Sequence, residues 1–174
     1  MDLKAQLLYE HSKANCRLVV EWVGDSQKRF DALYALFEKG EYRVTQRAAW
    51  PLSFSVAEHP KLISKHIGSL LRYMRQPNLH NAIRRNGVRL LQYVTVPEEY
   101  QGELMDICFE FVASVDEPVA VKAFSLTILA NLAQSYPEII PEIRVLIEDQ
   151  LPSQSPAFTN RAKKLLKEWD KQKK

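Results

Sequence analysis

The side chains able to do chemistry are few in this 174-residue sequence, and their spacing suits little chemistry. The histidines His11, His59, His66 and His80 include no pair three or four residues apart, the helical spacing that lets two imidazoles hold one metal ion. His59 and His66 lie seven apart, but Pro60 between them starts a new helix, so they read as surface or helix-end residues. Cys16 and Cys108 sit far apart in apolar stretches and read as buried free thiols in a reducing compartment. No Gly-x-Ser-x-Gly, Walker or dinucleotide fingerprint occurs, and five glycines leave little material for a phosphate cradle. Paired carboxylates for acid–base work would have to come from Glu98, Glu99, Glu103, Asp106 and Glu110, which recur as the wet side of an amphipathic helix. The sequence therefore calls for no enzyme activity, no cofactor and no metal.

Composition is ordinary for a globular chain, with 46% hydrophobic and 26% charged residues, enough for one well-cored domain over 1–174. No apolar run reaches the ~18 residues of a membrane span. The first segment is too charged for a secretory signal, and a soluble cytoplasmic chain without membrane contact is the expectation. The net charge of +3 conceals strong segregation: residues 43–93 carry 9 basic and 1 acidic side chains, whereas 94–150 carry 2 and 11. Such a basic stretch can steer an anionic partner, or it can sit beside the acidic third of its own chain; the charge count alone leaves both open.

Apolar residues at three- and four-residue spacing place helices at about 2–23, 26–39, 41–58, 60–76, 79–95, 97–114, 117–135, 137–150 and 155–171. Nothing alternates as a strand would. Pro60, Pro97, Pro118, Pro137 and Pro156 fall in first turns, where a missing N–H costs nothing. Asp25 or Ser26 and Ser155 are candidate caps, Gly24 and Gly40 stand where a left-handed residue ends a helix, and Pro51 predicts a bend within one. Trp22 and Trp169 lie in apolar stripes, and the run Lys163 to Lys174 reads as a solvated last helix.

An internal repeat organises these helices. A small residue, with one apolar residue four positions before it and two more at three and four positions after, recurs four times. It reads Val44, Ala48, Pro51, Leu52; then Ile83, Gly87, Leu90, Leu91; then Val121, Ser125, Ile128, Leu129; then Phe158, Ala162, Leu165, Leu166. The small residues step by 39, 38 and 37. Units of that length that each carry a helix pair stack on their neighbours, because one pair cannot bury its apolar face alone.

The segments VTQRAAWPL, IRRNGVRLL, VKAFSLTIL and FTNRAKKLL resemble the second helices of HEAT repeats, with the armadillo type a near neighbour. The resemblance implies an all-α fold, a right-handed α-α superhelix of about nine helices, with 1–25 as a cap or half repeat and 26–172 as four pairs. It also implies that the second helices line a concave side.

On that side a helical wheel places Gln46, Trp50 and Ser53; Arg85, Arg89 and Gln92; Ala123, Thr127 and Ala130; and Asn160, Lys164 and Lys167. Arg43, Arg47, Phe54 and Tyr93 flank them. Tryptophan beside arginines suits a binding centre. The competing reading has Trp50 covering the bend at Pro51 and the arginines merely solvated. The expected partner is an acidic protein or peptide, bound through Arg43, Arg47, Trp50, Phe54, Arg85, Arg89, Gln92 and Tyr93 by a non-enzymatic scaffold, monomeric or homodimeric. The alternative is nucleic acid, with the arginines on phosphates and Trp50 stacked. Some DNA alkyl-purine glycosylases are similar in their HEAT-like construction and carry a concave aspartate; the predicted concave set here has none.

Overall fold

A computed structural model describes residues 1–172. The chain divides into two compact units, Met1–Val96 and Pro97 onward. All regular structure among the described residues is helical: ten α-helices with three short 3-10 segments between them.

The first unit holds α1 (Leu3–Tyr9), α2 (Lys13–Val23), α3 (Gln27–Lys39), α4 (Tyr42–Glu58), α5 (Ile67–Met74) and α6 (Asn81–Leu91). Central α4 packs against α1, α2, α3 and α6 and continues through Pro51. Its stripe of Val44, Ala48, Leu52 and Val56 is sealed from solvent, as are Phe30, Leu33 and Phe37 of α3 and Leu70, Leu71 and Met74 of α5. Each large side chain so removed from water stabilises the unit by roughly 1.5–3 kcal/mol before the entropy of ordering it is charged.

Three expected helices come out divided, the one over 137–150 opening as a 3-10 turn, Pro137–Ile139. The helix expected over 2–23 breaks at residues 10–12, because Ser12 caps α2 by accepting from Asn15 N at 3.1 Å. The Asn15 amide in turn donates to the Gln6 and Glu10 carbonyls, taking up acceptors that α1 leaves at its end. The helix expected over 60–76 opens as a 3-10 segment, Pro60–His66, in which the Leu62 carbonyl accepts from Gln27 Nε2 of α3 at 2.9 Å rather than serving a regular α-helical ladder.

Ser26 accepts from Arg29 N as the expected cap, and Gly24 has a positive φ of +50°, with ψ −134° rather than the left-handed helical value. Gly40 has a negative φ, −70°. A side chain is excluded there by crowding instead, since a Cβ would meet the Leu36 carbonyl oxygen at 2.3 Å. Asn78, at φ +60°, turns the chain between α5 and α6; asparagine is among the few side chains that tolerate this region.

The second unit holds α7 (Glu98–Ala113), α8 (Val119–Leu132), α9 (Ile140–Gln150) and α10 (Pro156–Gln172). Packed against α7, α9 and α10, α8 is apolar nearly all round, the pattern of an interior helix. Ala123, expected to face outward, is buried for this reason: α10 covers it, and Arg161 donates to its carbonyl at 2.8 Å. Buried Lys122 donates to Gln150 Oε1 at 3.0 Å, while Gln150 Nε2 donates to the Val112 carbonyl. Burial pushes the Lys122 ammonium below its ordinary pKa, with Glu117 pulling it back. Glu98, Glu99, Asp106 and Glu110 of α7 are exposed and Glu103 half-buried.

The repeat register survives in detail. All the stripe residues are buried except Leu165 and Leu166, which are half-buried on the terminal helix. Lys173 and Lys174, at the end of the expected last helix, lie outside the described residues. Among the described residues no helix is long and apolar enough to cross a membrane.

Candidate functional site

Two helices of the first unit build a concavity. On α4 a single face carries Gln46, Trp50 and Phe54, four residues apart; on α6 another carries Asn81, Arg85 and Arg89 at the same spacing. Because α4 and α6 pack together, the rows meet across a pocket of about 290 Å³. The Arg89 guanidinium carbon lies 4.5 Å from the centre of the Phe54 ring, and the Trp50 ring centre is 6.2 Å from that of Phe54. Asn86, 3% exposed, forms part of the lining with its polar atoms satisfied: its amide donates to the Ala82 carbonyl at 2.8 Å, and its oxygen accepts from Ser53 Oγ at 3.2 Å. Ser53, expected to face outward, is buried because this bond tucks it against α6.

Two histidines complete the walls. His11 stands in the break between α1 and α2, its ring centre 5.5 Å from that of Trp50. His80 caps α6, with Nδ1 accepting from Ala82 N at 3.0 Å. In the neutral ring the proton therefore sits on Nε2. Gln46 Nε2 lies 3.4 Å from that nitrogen.

The electrostatics are one-sided. Among the described residues no carboxylate lines the pocket. Glu10 lines a smaller adjoining cleft and accepts from Ser12 Oγ at 2.9 Å. Arg85 is exposed and makes no hydrogen bond or ion pair among the described residues. Like charges at the i,i+4 spacing of Arg85 and Arg89 cost a helix roughly 0.2–0.5 kcal/mol, so this placement works against the stability of α6.

The residues singled out from sequence separate into groups. Trp50, Arg85 and Arg89 line the pocket, and Phe54 holds Arg89 from behind. Arg47 turns to the end of α1, donating to the Leu7 and Leu8 carbonyls at 3.2 and 2.8 Å, which is structural work. Arg43 is exposed away from the pocket lining, Gln92 bonds the Arg89 carbonyl at the end of α6, and Tyr93 stands exposed beyond it. Sequence reasoning missed His11, His80 and Asn86. Ser12 as a cap for α2 was the available signal for His11, since it puts the residue before it in a link rather than on a helix.

A second polar cluster binds α3 to the 3-10 segment. Asp31 accepts from His66 Nε2 at 2.7 Å and Lys65 Nζ at 2.6 Å, and the His66 ring stacks on Tyr34 with centres 4.0 Å apart. The Tyr34 and Ser69 hydroxyls are 2.7 Å apart. Burial alone would raise the Asp31 carboxyl, but the bonds from Lys65, Gln27 and His66 outweigh it and hold the pKa down to about 2. With its Nε2 committed to Asp31, His66 is a clamp between helices. Among the described residues no group of three histidine, cysteine or acidic side chains is placed to hold a metal ion.

The family model of the HEAT repeat domain matches residues 3–169, nearly the whole chain. The chain belongs to the HEAT-repeat family. No curated protein and no solved structure matches it. Within this HEAT-repeat protein the pocket lies between helices carrying two successive repeat stripes, those centred on Ala48 and Gly87.

Proposed function

We propose that this HEAT-repeat protein is a non-enzymatic interaction module that takes an acidic protein or peptide segment on the α4–α6 face of its first unit. One observation carries the reading: a pocket that gathers Trp50, Arg85 and Arg89 without a lining carboxylate, one of its arginines unpaired. Two cations with no carboxylate beside them ask for an anion, and a half-buried tryptophan next to them supplies the apolar contact typical of an interface hot spot.

A localised acidic side chain suits the site better than a long polyanion. Several basic residues of 43–93 have N–H donors engaged within the protein. Arg47 is committed to α1, Lys65 to Asp31, and Arg84 to the Met74 and Gln76 carbonyls. Nucleic-acid binding spreads over several phosphates and weakens steeply with salt.

The test is calorimetric titration of the protein with a Glu-rich peptide containing one tyrosine, and with single-stranded and duplex oligonucleotides, over a range of salt. Peptide binding that persists at moderate salt and is lost in the folded Arg85→Glu/Arg89→Glu variant supports the proposal. Tight, salt-steep oligonucleotide binding through the same arginines overturns it in favour of nucleic acid.

A further inference from the structure

The pocket is richer in donors than an ordinary carboxylate requires. Arg85 and Arg89 bring two guanidiniums, and the polar side chains of Gln46 and His80 line the pocket with them. A carboxylate offers two oxygens and a single negative charge. A phosphate monoester offers three terminal oxygens and nearly two charges near neutral pH. Arginine forks suit phosphate oxygens in bidentate geometry.

Trp50 and His11 give the lining an aromatic part, their ring centres 5.5 Å apart, while Phe54 lies outside the lining against Arg89. At about 290 Å³ the pocket has room for more than the anion alone, and its apolar wall calls for a flat ring next to the charge. Phe54 holds the Arg89 guanidinium by a cation–π contact, so this cation is positioned before any ligand arrives.

We propose that the pocket seats a phosphate monoester carried on an aromatic ring, the side chain of a phosphotyrosine in the partner segment; the proposal rests on the acidic-partner reading above. The phosphate lies against Arg85 and Arg89, and the ring packs on Trp50. The charge is what the site reads, so phosphorylation of the partner tightens docking.

Calorimetry with the full chain tests this. The probes are the Glu-rich peptide in its tyrosine, phosphotyrosine and phosphoserine forms, with AMP and inorganic phosphate alongside. The phosphotyrosine form is expected to bind on the order of tenfold more tightly than the unmodified peptide, the scale of one or two added charge-assisted bonds. It is also expected to bind more tightly than the phosphoserine form. Arg85→Gln, at an exposed and unpaired position, leaves the fold intact and is expected to shrink the gain to about threefold or less. Trp50→Leu is expected to remove the preference for tyrosine over serine, and Trp50→Phe to retain it.

Equal binding of phosphorylated and unmodified peptides, both lost in Arg85→Glu/Arg89→Glu, overturns the phosphate inference and leaves the acidic-partner reading standing. Binding of neither peptide overturns both. Phosphoserine matching phosphotyrosine overturns the aromatic part. AMP or inorganic phosphate binding as tightly as the phosphotyrosine peptide overturns a protein-borne ligand.

Discussion

Replacing Gly87 by leucine tests the packing of the second repeat stripe most directly. A Cβ at this position would lie 2.4 Å from Met74 Sδ, 3.2 Å from Met74 Cγ and 3.7 Å from Leu70 Cδ1. Met74 and Leu70 have no solvent-exposed surface, so the sulfur cannot swing aside into water. The first added carbon displaces a buried thioether, and the rest of the leucine needs space that the α5–α6 contact lacks. Overpacking of this kind costs about 1–3 kcal/mol. For a chain of this size that is a fall of roughly 2–12 °C in Tm. Thermal unfolding followed by circular dichroism, with a denaturant titration alongside, measures it. Met74→Ala relieves the same contact, so in a double-mutant cycle the pair should couple favourably by about 0.5–3 kcal/mol. Gly87→Ala falls between, because alanine's gain in helix propensity, about 1 kcal/mol, opposes the smaller clash. An unchanged Tm in Gly87→Leu, or no coupling to Met74, would refute the close contact and with it the register of the repeat.

Three further expectations follow from the first unit and the thiols. Asp31→Asn should destabilise by about 1–2 kcal/mol, the shift from 3.8 to about 2 discounted for a carboxyl that is a third exposed. Because the folded pKa is depressed, this stability is fully present well above pH 3.8 and is lost as the pH falls toward about 2, so acid titration should separate wild type from variant only above that range. Burial pushes Cys108 up to about 12 and, against Arg89 and Arg17, Cys16 to about 11, so neither should react with an aromatic disulfide reagent at neutral pH until denaturant opens the fold. Ser12→Ala should cost α2 its cap, about 1 kcal/mol in equilibrium unfolding, and weaken peptide binding by displacing His11.

The helical stripes were legible because they depend on local periodicity: Ala48, Gly87, Ser125 and Ala162 are buried where a spacing of nearly forty residues put them. Trp50, Arg85 and Arg89 were legible for the same reason, being fixed by helix phase relative to those stripes. What escaped depends on contacts distant in sequence. Arg47 looks like its neighbours on a helical wheel, and only the carbonyls of Leu7 and Leu8, some forty residues earlier, reveal its structural role. Ser53 and Ala123 occupy outward wheel positions, yet a neighbouring helix covers each. His80 acquires its tautomer from the first turn of α6 and its place in the pocket from the turn at Asn78.

At seven residues, α1 is about half the length at which an isolated helix becomes even marginal in water. It is kept folded by Leu3 and Leu7, by the Asp2 cap, by the Asn15 amide and by one guanidinium reaching from α4. It is therefore the segment of the first unit most readily opened on its own, and its amides should exchange hydrogen well before those of α4. His11 follows directly after it, so one wall of the pocket has a lower local stability than the two helices that make the others. A ligand that engages His11 must then slow exchange along α1, a helix far earlier in the sequence than the cations that hold the charge.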